Sequence, residues 1–198
     1  MNRFTKTVAT IIFLFSCACL SAQEFDAEDF RSNINEPGDQ FIKIGLMGVF
    51  PMNFGGSFPL FRDGQLSTGG AGELGYHRFL SNFFALGVDI SFGYNPTIGE
   101  NIFTYVPIVI DATFQPTFKK FEFPITVGIG AAMESYLNRT YFPGLVLKGE
   151  VGAFYRVTAS WSFGLEIESW FMPQWYSNSK YNDYGVFSSL AISARYHF

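Results

Sequence analysis

Leu190-Ala191-Ile192-Ser193-Ala194-Arg195-Tyr196-His197-Phe198, at the end of the sequence, decides how the rest is read. In steps of two back from Phe198, the residues Tyr196, Ala194, Ile192 and Leu190 share one apolar face. His197, Arg195, Ser193 and Ala191 share the other. Successive side chains of an extended chain point to opposite sides, so a period of two describes a half-buried β-strand and not a helix. A final strand that presents this much apolar surface has to be covered by something other than water.

The same alternation returns upstream. Phe83 to Tyr94 is the cleanest case, with Phe84, Leu86, Val88, Ile90, Phe92 and Tyr94 set against Ala85, Gly87, Asp89, Ser91 and Gly93. Comparable segments run from Phe41 to Phe50, Ser67 to Phe79, Ile102 to Gln115, Phe123 to Tyr136, Leu145 to Val157 and Trp161 to Met172. With Tyr184 to Phe198 the sequence predicts eight strands. Pro107 is tolerated only away from the centre of pairing. Long connections such as Pro51 to Leu66 alternate with tight ones such as Leu80-Ser81-Asn82, and only the turn around Lys119 and Lys120 breaks that pattern.

The medium follows from composition. The chain is 48% hydrophobic and 19% aromatic, yet beyond its first residues no apolar run is long enough for a membrane-crossing helix. A soluble barrel would carry a water-facing surface dense in Lys and Glu. Here the polar face is mostly Gly, Ala, Ser and Thr, which suits a cramped lumen in which small residues leave room for long ones. Lys43, Glu73, Asp89, Asp111, Glu134, Lys148, Glu150, Arg156, Glu166, Glu168 and Arg195 all fall on that face. Turning a basic member into mid-bilayer lipid would cost about 2–4 kcal/mol, so the set fixes the register. Arg78 alone falls on the apolar face, near a strand end where it can snorkel. Outward aromatics (Tyr76, Phe84, Phe114, Phe123, Tyr155, Trp161, Tyr196, Phe198) gather at one end as an interfacial girdle. The predicted fold is all-β: an eight-stranded antiparallel up-and-down transmembrane β-barrel spanning residues 41–198.

Residues 1–22 read as an export signal, with Arg3 and Lys6 ahead of an apolar stretch from Val8 to Phe15 and a cut after Ala22. Leu14-Phe15-Ser16-Cys17 also spells a loose lipidation box with Cys17 acylated, although Phe15 fits it poorly. Cys17 and Cys19 both lie in this segment, so no disulfide is expected afterwards. Residues 23–40 form an acidic tail, read either as a flexible periplasmic segment or as one that docks against the barrel's lower opening. The net charge of −4 becomes more negative once Arg3 and Lys6 are removed, which argues against nucleic acid as a partner.

Phe198 and Tyr196, with Leu190 and Ile192 behind them, resemble the C-terminal signal that barrel assembly machinery reads in bacterial outer-membrane proteins. Val127-Gly128-Ile129-Gly130-Ala131-Ala132 is similar to a glycine-rich strand of the small eight-stranded barrels that include the OmpA transmembrane domain, OmpW and opacity-type proteins. The resemblance implies a bacterial outer membrane, with its lipid and lipopolysaccharide or equivalent as the surroundings. It also implies the option of passing small hydrophobic molecules.

Two functions follow from the residues. Seven acids against four bases on the inner face describe a narrow, cation-preferring channel or transporter with Glu166 and Glu168 in its path; the same charges paired together describe a closed, salt-bridged lumen in a structural or surface-interaction barrel. Phe54, Phe58 and Phe61 in the first long loop, and Trp175 and Tyr176 in the last, are candidates to meet a hydrophobic ligand or a host surface. Catalysis is not expected: His77 and His197 are the two histidines, and neither has the His-x-Ser spacing of barrel deacylases. Two histidines two strands apart, without a close acidic partner, predict no metal site, and no cofactor motif is present.

Overall fold

A computed structural model of the chain describes residues 34–56, 66–97, 99, 101–137, 139–179 and 182–198. Eight long strands follow in order: β1 (Gln40–Gly56), β2 (Gly69–Ser81), β3 (Phe84–Pro96), β4 (Ile102–Phe114), β5 (Ile125–Tyr136), β6 (Arg139–Arg156), β7 (Trp161–Gln174) and β8 (Asp183–His197). Each pairs antiparallel with its neighbours in sequence. β8 then returns to β1, from Phe41↔His197 to Gly56↔Asp183, and the sheet closes on itself. Closure gives every strand a paired neighbour on both sides, the condition for β-structure in a bilayer.

Parity is kept around the whole wall. Outward side chains are mostly large and apolar and are exposed, with Leu46 at 72%, Ile192 at 70% and Ile110 at 65%. Water would not tolerate such a continuous apolar belt on a monomer; hydrocarbon would, and the barrel is a transmembrane one. Where the strands meet the tight turns, Trp161 meets Tyr196 at a tilted 5.0 Å, Tyr196 stacks on Phe198 at 6.0 Å, and Phe121 meets Tyr155 at 5.2 Å. The girdle therefore stands at the turn end, on the outside. Arg78 is exposed there too.

The structure extends several strands beyond their apolar alternation. β1 continues through Pro51 to Gly56, with a register irregularity between Pro51 and Asn53, so the predicted loop from Pro51 begins as strand. A bulge is where a sheet accepts proline. β6 begins at Arg139 and not at Leu145, which reduces that predicted loop to a turn at Leu137. Above the lipid belt, backbone pairing persists while side chains no longer need to alternate, so periodicity cannot see it. At Lys119 and Lys120 the broken pattern is a small ribbon, Thr117–Phe118 paired with Phe121–Glu122, which rests on β6 through Phe121↔Tyr155.

The export signal, tail residues 23–33, Phe58 and Phe61 lie outside the described residues, and of Phe54 only the backbone pairing with Gly185 is described. The end of the tail is placed. Gly38 donates its N–H to Phe79, Gln40 to Phe198, and the buried Asn35 side chain reaches Arg156. Residues 34–39 thus sit against the turn end of the barrel.

Candidate functional site

All of the charged residues expected on the inner face are buried there, none more than 5% exposed. Their grouping is tighter than strand position suggests. Lys43 Nζ lies 2.6 Å from Glu73, 2.9 Å from Glu150, 3.4 Å from Asp89 and 3.8 Å from Glu166. Lys148, on β6, reaches into the same group: 2.5 Å from Asp89, 2.8 Å from Glu150, 3.1 Å from Glu73 and 3.2 Å from Glu168. A lysine's long stem lets its charge sit well away from its own backbone row. Two ammonium groups thus hold five carboxylates. Glu168 also accepts from Trp170 Nε1 at 2.5 Å, and Ser193 donates to Glu166. Glu134 stands apart, bonded to Gln174.

Arginines fill the turn end. Arg195 donates to Glu166 and to Gln115, each at 2.9 Å, and its guanidinium lies 3.6 Å from the Phe154 ring centroid and 4.9 Å from that of Phe41. Flat stacking of this kind suits a weakly hydrated guanidinium. Arg156 pairs with Glu122 at 2.5 Å and donates to Asn35 at 2.8 Å. Glu122 is a lumen acid that strand counting missed because it lies in the ribbon. Its flanking Phe121 and Phe123, both exposed, were the available signal.

Charges do not fill the lumen alone. Toward the loop end Phe103, Tyr105, Trp170, Met172 and Phe187 form a buried cluster with Val49 and Leu66. Tyr105 meets Trp170 edge-on at 5.6 Å and Phe187 at 5.4 Å, and its hydroxyl donates to Asn95. Phe41, Phe79 and Ala85 close the turn end. The lumen is a packed core in three layers: aromatic, ionic, aromatic.

The two histidines are placed where their partners could not be read from spacing. His197 lies 2.9 Å from Ser162, a cross-strand pair. Its charged neighbours are Arg156 and Arg195, the opposite of the acid that orients a catalytic imidazole. His77 does have close acidic partners, contrary to expectation. Its Nε2 is 2.9 Å from Asp111 Oδ1 and 3.8 Å from Asp89 Oδ1, and its ring stacks on Phe41 at 4.7 Å. β2, β3 and β4 each contribute one of these three groups, so sequence distance concealed the cluster.

Among the expected loop residues, Trp175 is 59% exposed. Its backbone N–H donates to the Tyr141 hydroxyl, and Tyr141 and Tyr176 meet at 5.3 Å. Tyr141 was not anticipated, because it lies on the extension of β6 that lacks apolar alternation. At the other end, Leu190, Ile192, Tyr196 and Phe198 all face outward and are exposed.

Fold and lumen together define a small, closed, eight-stranded transmembrane barrel with a filled interior. The chain belongs to the family of uncharacterised proteins whose model matches residues 21–196. An uncharacterised protein of Treponema pallidum (strain Nichols) is 31% identical over 138 residues, covering 65% of this chain and 63% of that one. A second from the same organism is 30% identical over 100 residues, 46% of this chain and 34% of its own length. The chain thus spans less than two thirds of these relatives. In fold it is similar to Neisserial surface protein A (TM-score 0.66, 12% identity, 81% of this chain and 99% of that one). It is also similar to the outer membrane protein OprG of Pseudomonas aeruginosa (TM-score 0.54, 11% identity, 83% and 97%). The attachment invasion locus protein of Yersinia pestis follows (TM-score 0.51, 13% identity, 82% and 99%).

Proposed function

We propose that this chain is a bacterial outer-membrane protein that does not conduct through its lumen, and that it acts as a structural or surface-interaction barrel through its loop-end rim. The single observation behind this reading is the filled interior. An aromatic layer around Trp170 and Tyr105 lies across the loop side, and beneath it Lys43 and Lys148 engage five carboxylates. A cation channel through Glu166 and Glu168 needs those carboxylates available to a passing ion; Glu166 is engaged by Arg195 and Ser193, and Glu168 by Lys148 and Trp170. The rim supplies what a surface role needs: exposed Trp175 and Phe142 beside the Tyr141–Tyr176 pair. Aromatic side chains of this kind anchor protein contacts at low entropic cost.

Single-channel recording of the refolded protein in a planar bilayer tests the reading. The expected result is a silent wild type, silent also as the Glu166→Gln, Glu168→Gln double variant, with steps appearing only when Tyr105→Ala and Trp170→Ala are combined. Steady cation-preferring steps from the wild type would overturn it in favour of a channel.

A further inference from the structure

Within the filled lumen, buried polar atoms without a hydrogen-bond partner concentrate in one group of side chains. Asp89 Oδ1 and both oxygens of Asp111 have no hydrogen-bond partner, although Asp89 and Asp111 are 1% and 3% exposed. The 2.9 Å approach of His77 Nε2 to Asp111 Oδ1 lacks hydrogen-bond alignment. Oδ2 of Asp89 is already held by Lys148 at 2.5 Å and Lys43 at 3.4 Å, which leaves Oδ1 on the side of His77, 3.8 Å from its Nε2. Buried carboxylate oxygens without a donor are costly, and buried charges are paired or bind a metal.

From these observations we infer that His77, Asp89 and Asp111 form a binding site for one divalent cation of the zinc class. Ligand atoms of all three residues lie within 4.8 Å of one another. A tetrahedral ion with bonds of about 2.0–2.1 Å holds its ligand atoms roughly 3.3 Å apart, and the separations from His77 Nε2 of 2.9 and 3.8 Å bracket that value. One imidazole nitrogen with two carboxylates favours zinc over magnesium or calcium, which take oxygen alone.

Backbone choice keeps the space open. A Cβ at Gly75 would lie 2.0 Å from Asp89 Oδ1, and one at Gly87 would lie 2.1 Å from His77 Cδ2. Each glycine faces a ligand across the strand pair: Gly75↔Asp89 and His77↔Gly87. The charge balance agrees. Counting Glu122, acids outnumber bases in the lumen by eight to four, so a divalent ion offsets half of the excess. With one ligand each from β2, β3 and β4, it would also tie three adjacent strands.

The second acidic group, Glu73, Glu150 and Glu168, differs in kind. Lys148 touches all three of its members, so its cation is already supplied.

The test is to refold the full chain into detergent micelles with zinc chloride or with a chelator, desalt it, and measure metal by mass spectrometry. One zinc per barrel and a higher thermal midpoint than in the chelated sample are expected. His77→Gln and Asp111→Asn should each lose affinity by at least about tenfold, while Glu134→Gln, whose side chain bonds to Gln174 elsewhere, keeps it. Should the variants fail to fold, cobalt-loaded wild type provides an independent readout through the visible absorption of a tetrahedral site. Substoichiometric zinc in the folded wild type, undiminished zinc in both variants, or a cobalt sample without that absorption would each overturn the site.

Discussion

Lys148→Met should destabilise the barrel far more than its loss of one charge from a net acidic lumen suggests. Four carboxylates converge on its ammonium, at 2.5 Å for Asp89, 2.8 Å for Glu150, 3.1 Å for Glu73 and 3.2 Å for Glu168. Three of them retain Lys43, with Glu73 at 2.6 Å, Glu150 at 2.9 Å and Asp89 at 3.4 Å. Glu168 retains only the Trp170 N–H among the contacts described. Removing one partner of a buried ion pair typically costs about 3–5 kcal/mol, because the other charge stays buried without compensation. The loss should therefore fall in that range and come chiefly from Glu168. Adding Glu168→Gln should then recover part of it, a coupling of about 2–3 kcal/mol, at the upper end for residues in contact. Urea unfolding in lipid vesicles, followed by tryptophan fluorescence and heat-modifiable gel mobility, measures each value; Arg78→Met on the outer wall serves as a charge-loss control. A loss below about 1 kcal/mol, or a double variant that is simply additive, would refute the ionic layer as a mutually dependent unit.

Glu122→Gln should cost about 3 kcal/mol in the same assay, because it leaves the Arg156 guanidinium buried against Asn35 without its carboxylate; a change under 0.5 kcal/mol, a rough threshold for ordinary surface sites, would show that the pair contributes nothing. Ile192→Arg, at 70% exposure on the belt, should cost about 2–4 kcal/mol if that position faces mid-bilayer, and a neutral result would move the belt.

What was legible in the sequence was whatever alternation carries. Phe84 to Tyr94 could be assigned to two faces by parity alone, and each lumen charge from Lys43 to Arg195 is buried accordingly. Phe103, Tyr105, Trp170 and Phe187 share the parity of the lumen charges on their strands, but parity says nothing of how side chains from different strands meet. The plug they form could not be read for that reason. Height was equally hidden: Lys148 shares acids with Lys43 because its stem crosses the lumen, and no strand position reports the direction of a lysine. The His77 cluster depends on three strands and on the emptiness left by Gly75 and Gly87, each of which reads in sequence as one more small residue.

The ionic layer has a role that does not depend on conduction. If the lumen were apolar, both faces of every strand would suit lipid, and a slip of one residue would cost little. With charges on one face, such a slip on β1, β6 or β8 turns Lys43, Lys148, Arg156 or Arg195 toward the bilayer at about 2–4 kcal/mol each for those near its middle. The penalty falls on the strands that hold the closing seam and on β6, which also supports the ribbon. Lumen acids alone would set register at the expense of unpaired buried charge, and bases alone would do the same, so the two are interleaved. Once paired, Glu166 and Glu168 are held by Arg195, Ser193, Lys148 and Trp170. The arrangement that specifies the barrel's register is thus also the one that fills the middle of its lumen.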